Sequence, residues 1–388
     1  MFKWPLINDN ITKEDKEVLS EFILNTNRFT NGPKVEEFEK SWSQWLGVKH
    51  SVFVNSGASA NYIMAAIVKE KLGSGEVIVP PIGWVSDIAP LVQMGMTPVF
   101  VDVCLETLAI TYESIEKAVT DKTKAIILVH ALGFNGISDK LINLCNDKGI
   151  LLIEDCCESH GAKHKDIKIG NFGHMSNFSF YFGHHMTTIE GGMVCTNSDD
   201  LYEYIKLFRS HGMIRECSSE LKERYAQKYP DLNPLFTFAV PGFNMRNTEI
   251  NAVLGLNQIK RLDSNIDHRI KNLDCWLNNL DKNKYFTEFN RVGNSNFSLP
   301  LILNSKNKKI FNSITKILKE EKIEYRVGTA GGGNQARQPY LVEGKYNYKI
   351  DEDLNVANHI HDMGLYIGNH IQVTESMILK LCKRINNV

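Results

Sequence analysis

Residues 179–192 read SFYFGHHMTTIEGG, which places two adjacent histidines, His184 and His185, in a loop after an apolar run. No lysine occurs between Lys168 and Lys206. An imidazole titrates near neutrality, so a loop histidine facing a cleft can serve as a general base. Upstream, EDCCES ends an apolar run on Asp155, an expensive place for a carboxylate unless a cation faces it. A protonated pyridine nitrogen or a structural arginine would serve. Glu158 follows one turn later, within reach of a phenol or hydroxyl. SGAS (56–59) lies between an apolar run and a helical pattern, where small residues and a helix N-terminus favour an anion. Ser179 is a candidate second ligand for a phosphate, and Trp84, after PPIG, offers a flat platform for a planar ring.

These residues must be brought together by the elements between them. VFVNS (52–56), EVIVP (76–80), TPVFVDV (97–103), KAIILVH (124–130), ILLIED (150–155) and NFSFYF (177–182) read as strands. They alternate with amphipathic segments such as ANYIMAAIVKEKL, which predicts an α/β domain with a mostly parallel sheet flanked by helices. Ligands of such sheets bind outside the carboxyl ends of the strands. The chemistry is therefore expected at SGASAN, PPIGW, EDCCES and YFGHH. Beyond residue 248 the pattern changes: NTEINAVLGLNQIKRLDSNIDHRIKNLDCWLNNL reads as one long helix, followed by NFSLPLIL, IFNSITKILKEEK and IEYRVG. The expectation is a large domain over 1–248 and a smaller α+β domain over 249–388.

A chain of 388 residues with 43% hydrophobic residues can bury a sizeable core. The formal net charge of -1 gives no general attraction to nucleic acid or an anionic membrane. No run of about 18 apolar residues or signal-peptide pattern is present, so a cytoplasmic protein is expected. The 8 cysteines lack a CxxC pair and read as free thiols, with no metal or iron–sulfur spacing.

The order RFTNGPKVEEFEKSWSQWLG, SGASAN, EDCCESHGA, SFYFGHHMTTIEGG and PGFNMRNTEINAVLGLNQIKRL resembles the DegT/DnrJ/EryC1 family of sugar aminotransferases and dehydratases, within the fold-type I pyridoxal phosphate enzymes. The resemblance covers most of the chain and implies that fold. It also implies that Asp155 pairs with the ring nitrogen, Glu158 stands near the ring hydroxyl, and Trp84 stacks on the ring. Gly57, Ala58 and Ser179 would hold the phosphate, with Asn244 reaching it from a second subunit of a homodimer.

Most members read SFHP-x-K-x-x-TTGEGG, where the lysine binds the cofactor covalently; aligned on the flanks, His184 takes that position. This replacement resembles the sugar 3-dehydratases of the family. It implies that pyridoxamine phosphate, formed with L-glutamate and releasing 2-oxoglutarate, removes the C3 hydroxyl of a nucleotide-linked 4-keto-6-deoxy sugar, with GDP the nucleotide by analogy. His184 would be the catalytic base, and the product would serve surface polysaccharide synthesis. His185 either orients His184 or contacts the sugar. Arg326, Asn334 and Arg337 are candidate donors to the sugar or its diphosphate, with surface ion pairs the alternative. An aminotransferase with an unusual base and a non-catalytic cofactor-binding regulator are the competing readings.

Overall fold

The computed structural model describes residues 2–8 and 10–388. Five strands form in the first part of the chain: β1 (His50–Val54), β2 (Glu76–Val79), β3 (Thr97–Phe100), β4 (Thr123–Val129) and β5 (Leu151–Asp155). A two-strand hairpin, β6 (Lys163–His164) and β7 (Ile167–Lys168), separates them from β8 (Met175–Ser179) and β9 (Gly192–Thr196). The last four are β10 (Ser298–Ile302), β11 (Tyr325–Val327), β12 (Lys349–Ile350) and β13 (Gly364–Gly368).

Eight strands make one sheet in the order β1-β9-β8-β5-β4-β2-β3-β12. Only β9 runs against its neighbours, pairing antiparallel with both β1 and β8. The other contacts, β8 with β5, β5 with β4, β4 with β2, and β3 with β2 and β12, are parallel. Side chains of β1, β2, β4, β5 and β8 are almost all buried, as a sheet covered on both faces requires. A second sheet, β10-β13-β11, is antiparallel and comes from the C-terminal part.

The strands were legible, with ends shifted by a few residues; NFSFYF proves to be the end of β8 and the loop beyond it. Two features were not anticipated. GMVCT forms β9 after a loop, and Gly192 is needed there because a Cβ would collide with the carbonyl of Ser56 at the end of β1. β12, far down the chain, adds an edge strand to the large sheet. The single long helix expected after residue 247 is two, Glu249–Gln258 and Leu262–Asn279, joined by a 3₁₀ turn over Ile259–Arg261. The first packs on the helices Lys13–Asn25 and Pro33–Leu46.

The helix Gly57–Leu72 follows β1 directly. Ser56 caps it, its hydroxyl accepting from Ser59 N at 3.0 Å, and Lys69 and Lys71 lie in the last turn, where cations favour the dipole. Its middle, Ile63 to Val68, is buried against β8 and β9. Under the far end of the sheet, Trp42 packs edge-on against Phe178 and Phe180 with ring centroids at 5.0 and 4.8 Å. The first described residues lie on the small sheet: Trp4 Nε1 donates to Gly368 O at 2.9 Å, and Leu6 N donates to Glu324 Oε2 at 2.9 Å.

Candidate active site

A cavity of about 410 Å³ opens at the carboxyl ends of the parallel strands. Its wall takes Ser56, Gly57 and Ala58 from the β1 turn, Trp84, Ser86 and Asp87 from the loop after β2, and Asp155, Cys157 and Glu158 from the end of β5. Ser179, Tyr181, Gly183 and His184 come from the end of β8, and Phe297, Arg326 and Tyr366 from the smaller sheet region. Sequence-distant motifs thus meet because each ends a strand of one sheet.

Asp155, 6% exposed, forms the floor. Its Oδ2 accepts from Asn61 Nδ2 at 3.2 Å and Asn177 Nδ2 at 3.0 Å, and its Oδ1 accepts from Cys157 N at 2.9 Å. Asn177 reaches it because the β5–β8 register sets the two residues side by side. No cation is among these contacts, so the carboxylate is oriented but not neutralised. Glu158 Oε2 accepts from Leu132 N at 2.8 Å. Burial, with the Asp155 charge adding to it and the Leu132 amide opposing, raises its carboxyl to about 7. It is therefore poised to exchange a proton with a hydroxyl at neutral pH.

At the other end, the N-terminus of Gly57–Leu72 faces Ser179. A Cβ on Gly57 would lie 2.8 Å from Ser179 Cβ and 3.2 Å from Ser179 Oγ, so only glycine leaves this cradle open. The free amides and the hydroxyl make a site for an anion such as phosphate. Trp84 is 51% exposed and lines the wall between cradle and floor.

His184 is held by its backbone. Its amide donates to Tyr181 O at 3.0 Å, and its carbonyl accepts from Arg269 Nη2 and Asn10 Nδ2, each at 3.4 Å. Its ring lines the cavity, tilted against Phe297 at 5.3 Å between centroids, and its buried Nδ1 has no hydrogen-bond partner. Burial lowers it to about 4, with Asp155 opposing and the Arg269 guanidinium reinforcing the fall. The imidazole is neutral at pH 7, the form that accepts a proton. Among the described residues lining the cavity there is no lysine.

His185 turns the other way. It is fully buried, and its Nε2 donates to Ser295 O at 3.2 Å. It does not line the cavity, so it stands behind the loop rather than on a substrate. Of the other candidates, Arg326 lines the cavity, Nη1 donating to Tyr366 Oη at 3.4 Å. Asn334 and Arg337 do not: Asn334 is buried, donating to Asn358 Oδ1 at 3.0 Å, and exposed Arg337 pairs with Asp362 at 3.3 Å. Contact with a sugar from those two side chains would need a different arrangement of 328–340; as placed, they serve structure. Asn244 is exposed and absent from its own chain's cavity, accepting from Arg246 Nε at 3.1 Å.

Sequence reasoning missed Asn61, Asp87, Asn177, His160 and Arg269. Asn61 had a visible signal, an amide on an otherwise apolar helix face five residues past the Ser56 cap. Asp87 had another, a carboxylate three residues after Trp84 amid apolar residues. Arg269 and His160 had none, since they reach His184 only through the fold; His160 packs 6.0 Å from His184 and 5.1 Å from His185. His130, Glu154 and Cys156 converge behind the floor, but Glu154 is satisfied by His130 Nε2 at 3.2 Å and the amides of Gly170 and Phe172, each at 2.9 Å.

Residues 9–386 match the profile of the DegT/DnrJ/EryC1/StrS aminotransferase family. The chain is 34% identical over 378 residues to the GDP-4-keto-6-deoxy-D-mannose 3-dehydratase of Yersinia pseudotuberculosis, covering 95% of each chain. It is 31% identical over 377 residues to the Escherichia coli O55:H7 protein of the same name, covering 95% of this chain and 96% of the other. A crystal structure of GDP-4-keto-6-deoxymannose-3-dehydratase with a trapped PLP-glutamate geminal diamine superposes with a TM-score of 0.89 at 28% identity, covering 99% of this chain and 100% of that one.

Proposed function

The chain belongs to the DegT/DnrJ/EryC1/StrS aminotransferase family, and from that premise we propose that it is a pyridoxal-phosphate-dependent lyase, removing the C3 hydroxyl of a GDP-linked 4-keto-6-deoxy sugar. The observation that carries this reading is the neutral histidine on a cavity wall that has no lysine among its described residues. The residues present suit the cofactor: a glycine-lined cradle for phosphate, an indole platform, and an oriented carboxylate for the ring nitrogen. The cofactor, when bound as its amine, supplies an electron sink through which a carbon proton and then the C3 oxygen depart.

The chain's own residues do the rest. Asp155, fixed by three donors, holds the ring nitrogen's proton. Glu158 receives the ring hydroxyl, its proton free to shift between the two near pH 7. His184 takes a proton from the carbon beside the ring amine. Lacking a primary amine, it cannot hold the cofactor covalently or return a proton as a lysine does, so the outcome turns to elimination. Removal of the oxygen is a two-electron reduction of the sugar, balanced by oxidation of L-glutamate to 2-oxoglutarate; the C3 hydroxyl leaves as water, hydrolysis of the resulting enamine consumes water, and ammonia is the net by-product. Arg326, on the cavity wall, is a cation suited to the carboxylate of glutamate or the sugar's diphosphate.

Incubation of purified protein with L-glutamate and GDP-4-keto-6-deoxymannose tests this. The expected sugar product is one oxygen atom lighter than the substrate. A sugar bearing nitrogen from glutamate would establish an aminotransferase instead, and no turnover with bound cofactor would establish a regulator.

The reading includes a homodimer with Asn244 serving the neighbour's phosphate cradle. Its exposure, away from its own cavity, supports this, as do the exposed apolar side chains Leu235, Phe236 and Phe238 nearby in sequence. Light scattering should report a dimer at micromolar concentration. Asn244→Ala should weaken retention of pyridoxamine phosphate by about 1.5–3 kcal/mol, the worth of one hydrogen bond to a charged group. A monomer with full affinity would contradict the assignment. No described helix is long and apolar enough to cross a membrane; the eight free cysteines support a reducing, cytoplasmic setting.

A further inference from the structure

The chemistry above gives Asp155 a task and Asp87 none, although both carboxyl groups share the cavity floor. Asp87 is 3% exposed. One amide joins the pair: Asn61 Nδ2 donates to Asp87 Oδ1 at 3.0 Å and to Asp155 Oδ2 at 3.2 Å. The other Asp87 oxygen accepts from Trp84 N at 2.9 Å, and Asp87 and Asp155 line the same cavity. The titratable groups facing Asp87 are Asp155, Cys157 and Glu158 from the end of β5, and Tyr340 from the helix Pro339–Val342. None of these is a cation. Two carboxyl groups that share one amide donor on a buried floor repel one another when both are ionised. Burial first, then the charge of Asp155, push Asp87 well above the carboxylate range, so Asp87 is the member that keeps the proton.

With no lysine in the cavity, nothing ties the cofactor covalently, and each release strips Asp155 of its cationic partner. We propose that Asp87 is a positioning residue for Asp155: its carboxyl proton bonds to that carboxylate whenever the ring nitrogen is away, keeping the floor shaped for the cofactor's return. The inference rests on reading Asp155 as the partner of the ring nitrogen.

Two measurements test it. The first uses cofactor-free protein and urea unfolding from pH 5 to 8, comparing wild type with Asp87→Asn. A carboxyl group whose native pKa lies above its unfolded value holds a proton that the unfolded chain has released. The Asp87 contribution to wild-type stability therefore falls as pH rises towards that native pKa, by about tenfold per pH unit in the unfolding constant, whatever the other groups add. Asp87→Asn, which donates but cannot ionise, should lack this component, so the two curves diverge as pH rises. Parallel curves would overturn the proposal, whatever reaction the enzyme performs. The second measures binding of pyridoxamine phosphate by fluorescence. Asp87→Asn should bind within about threefold of wild type, whereas Asp87→Leu, with no donor, should bind about tenfold or more weakly. Equal affinity of the two variants would also overturn it. If Asp87→Leu does not fold, the urea comparison decides alone.

Discussion

His184→Asn is expected to lower turnover of the keto sugar by about 10²–10⁴-fold, the usual worth of a positioned general base, while pyridoxamine phosphate stays bound. The groups proposed to bind it are elsewhere: the cradle at Gly57 and Ser179, the Trp84 platform and the Asp155 floor do not depend on the imidazole. The loop should also persist, because His184 is fixed through its amide and carbonyl, which asparagine retains. What disappears is, among the described residues of the cavity wall, the one imidazole able to accept a carbon-bound proton. His185→Asn is the control. That ring is buried on Ser295 and off the cavity, so its loss should cost stability more than turnover. Kinetics and cofactor absorbance of both variants decide the matter. Near-parental turnover by His184→Asn, with collapse in a folded His185→Asn, would reverse the assignment.

In cofactor-free protein, stability should fall steeply as pH drops from about 6.5. His160, His184 and His185 are all lowered, by burial first, and Arg269 adds to each. The sign follows from proton counts. Between the unfolded value near 6.5 and the depressed native values, the unfolded chain binds protons that the native state refuses. The stability is thus fully present above pH 6.5 and lost as pH falls. Each such group adds to the loss as pH falls, while Glu158 and Asp87, whose carboxyls burial raises, act in the opposite sense. Urea midpoints between pH 7.5 and 4.5 measure the slope. His160→Phe, placed against Trp42, Phe178 and Phe180, should reduce it. An unchanged slope would show that His160 takes up its proton in the native state.

The parts of the site that were legible share one property: they end strands. Asp155, Ser179 and the SGAS turn could be placed because an apolar run stopping at a small or charged residue has one meaning in a parallel sheet. His184 was legible through the frame around it, an EGG motif whose second glycine must let β9 pass the end of β1. The chemistry around those residues was not. Asn177 holds Asp155 through strand register, and Arg269 reaches the His184 carbonyl from a helix 85 positions along. Register and helix docking are set by the packed whole, and no spacing in the chain displays them. The fate of Asn334 and Arg337 has the same origin: polar residues in a glycine-rich stretch look available until the loop folds and uses them on Asn358 and Asp362.

The anchoring of residues 4 and 6 on the small sheet bears on how the molecule is born. Trp4 is tied to Gly368 and Leu6 to Glu324, contacts spanning 364 and 318 residues, and Ile7, next in line, walls the cavity. A ribosome must have extruded nearly the whole chain before that wall can close. The large sheet can assemble as it emerges, but the pocket waits for the last strand and for the entropy of a very long loop to be overcome. A nascent chain thus carries an open cleft until the strands that bear Arg326 and Tyr366 emerge to complete the wall.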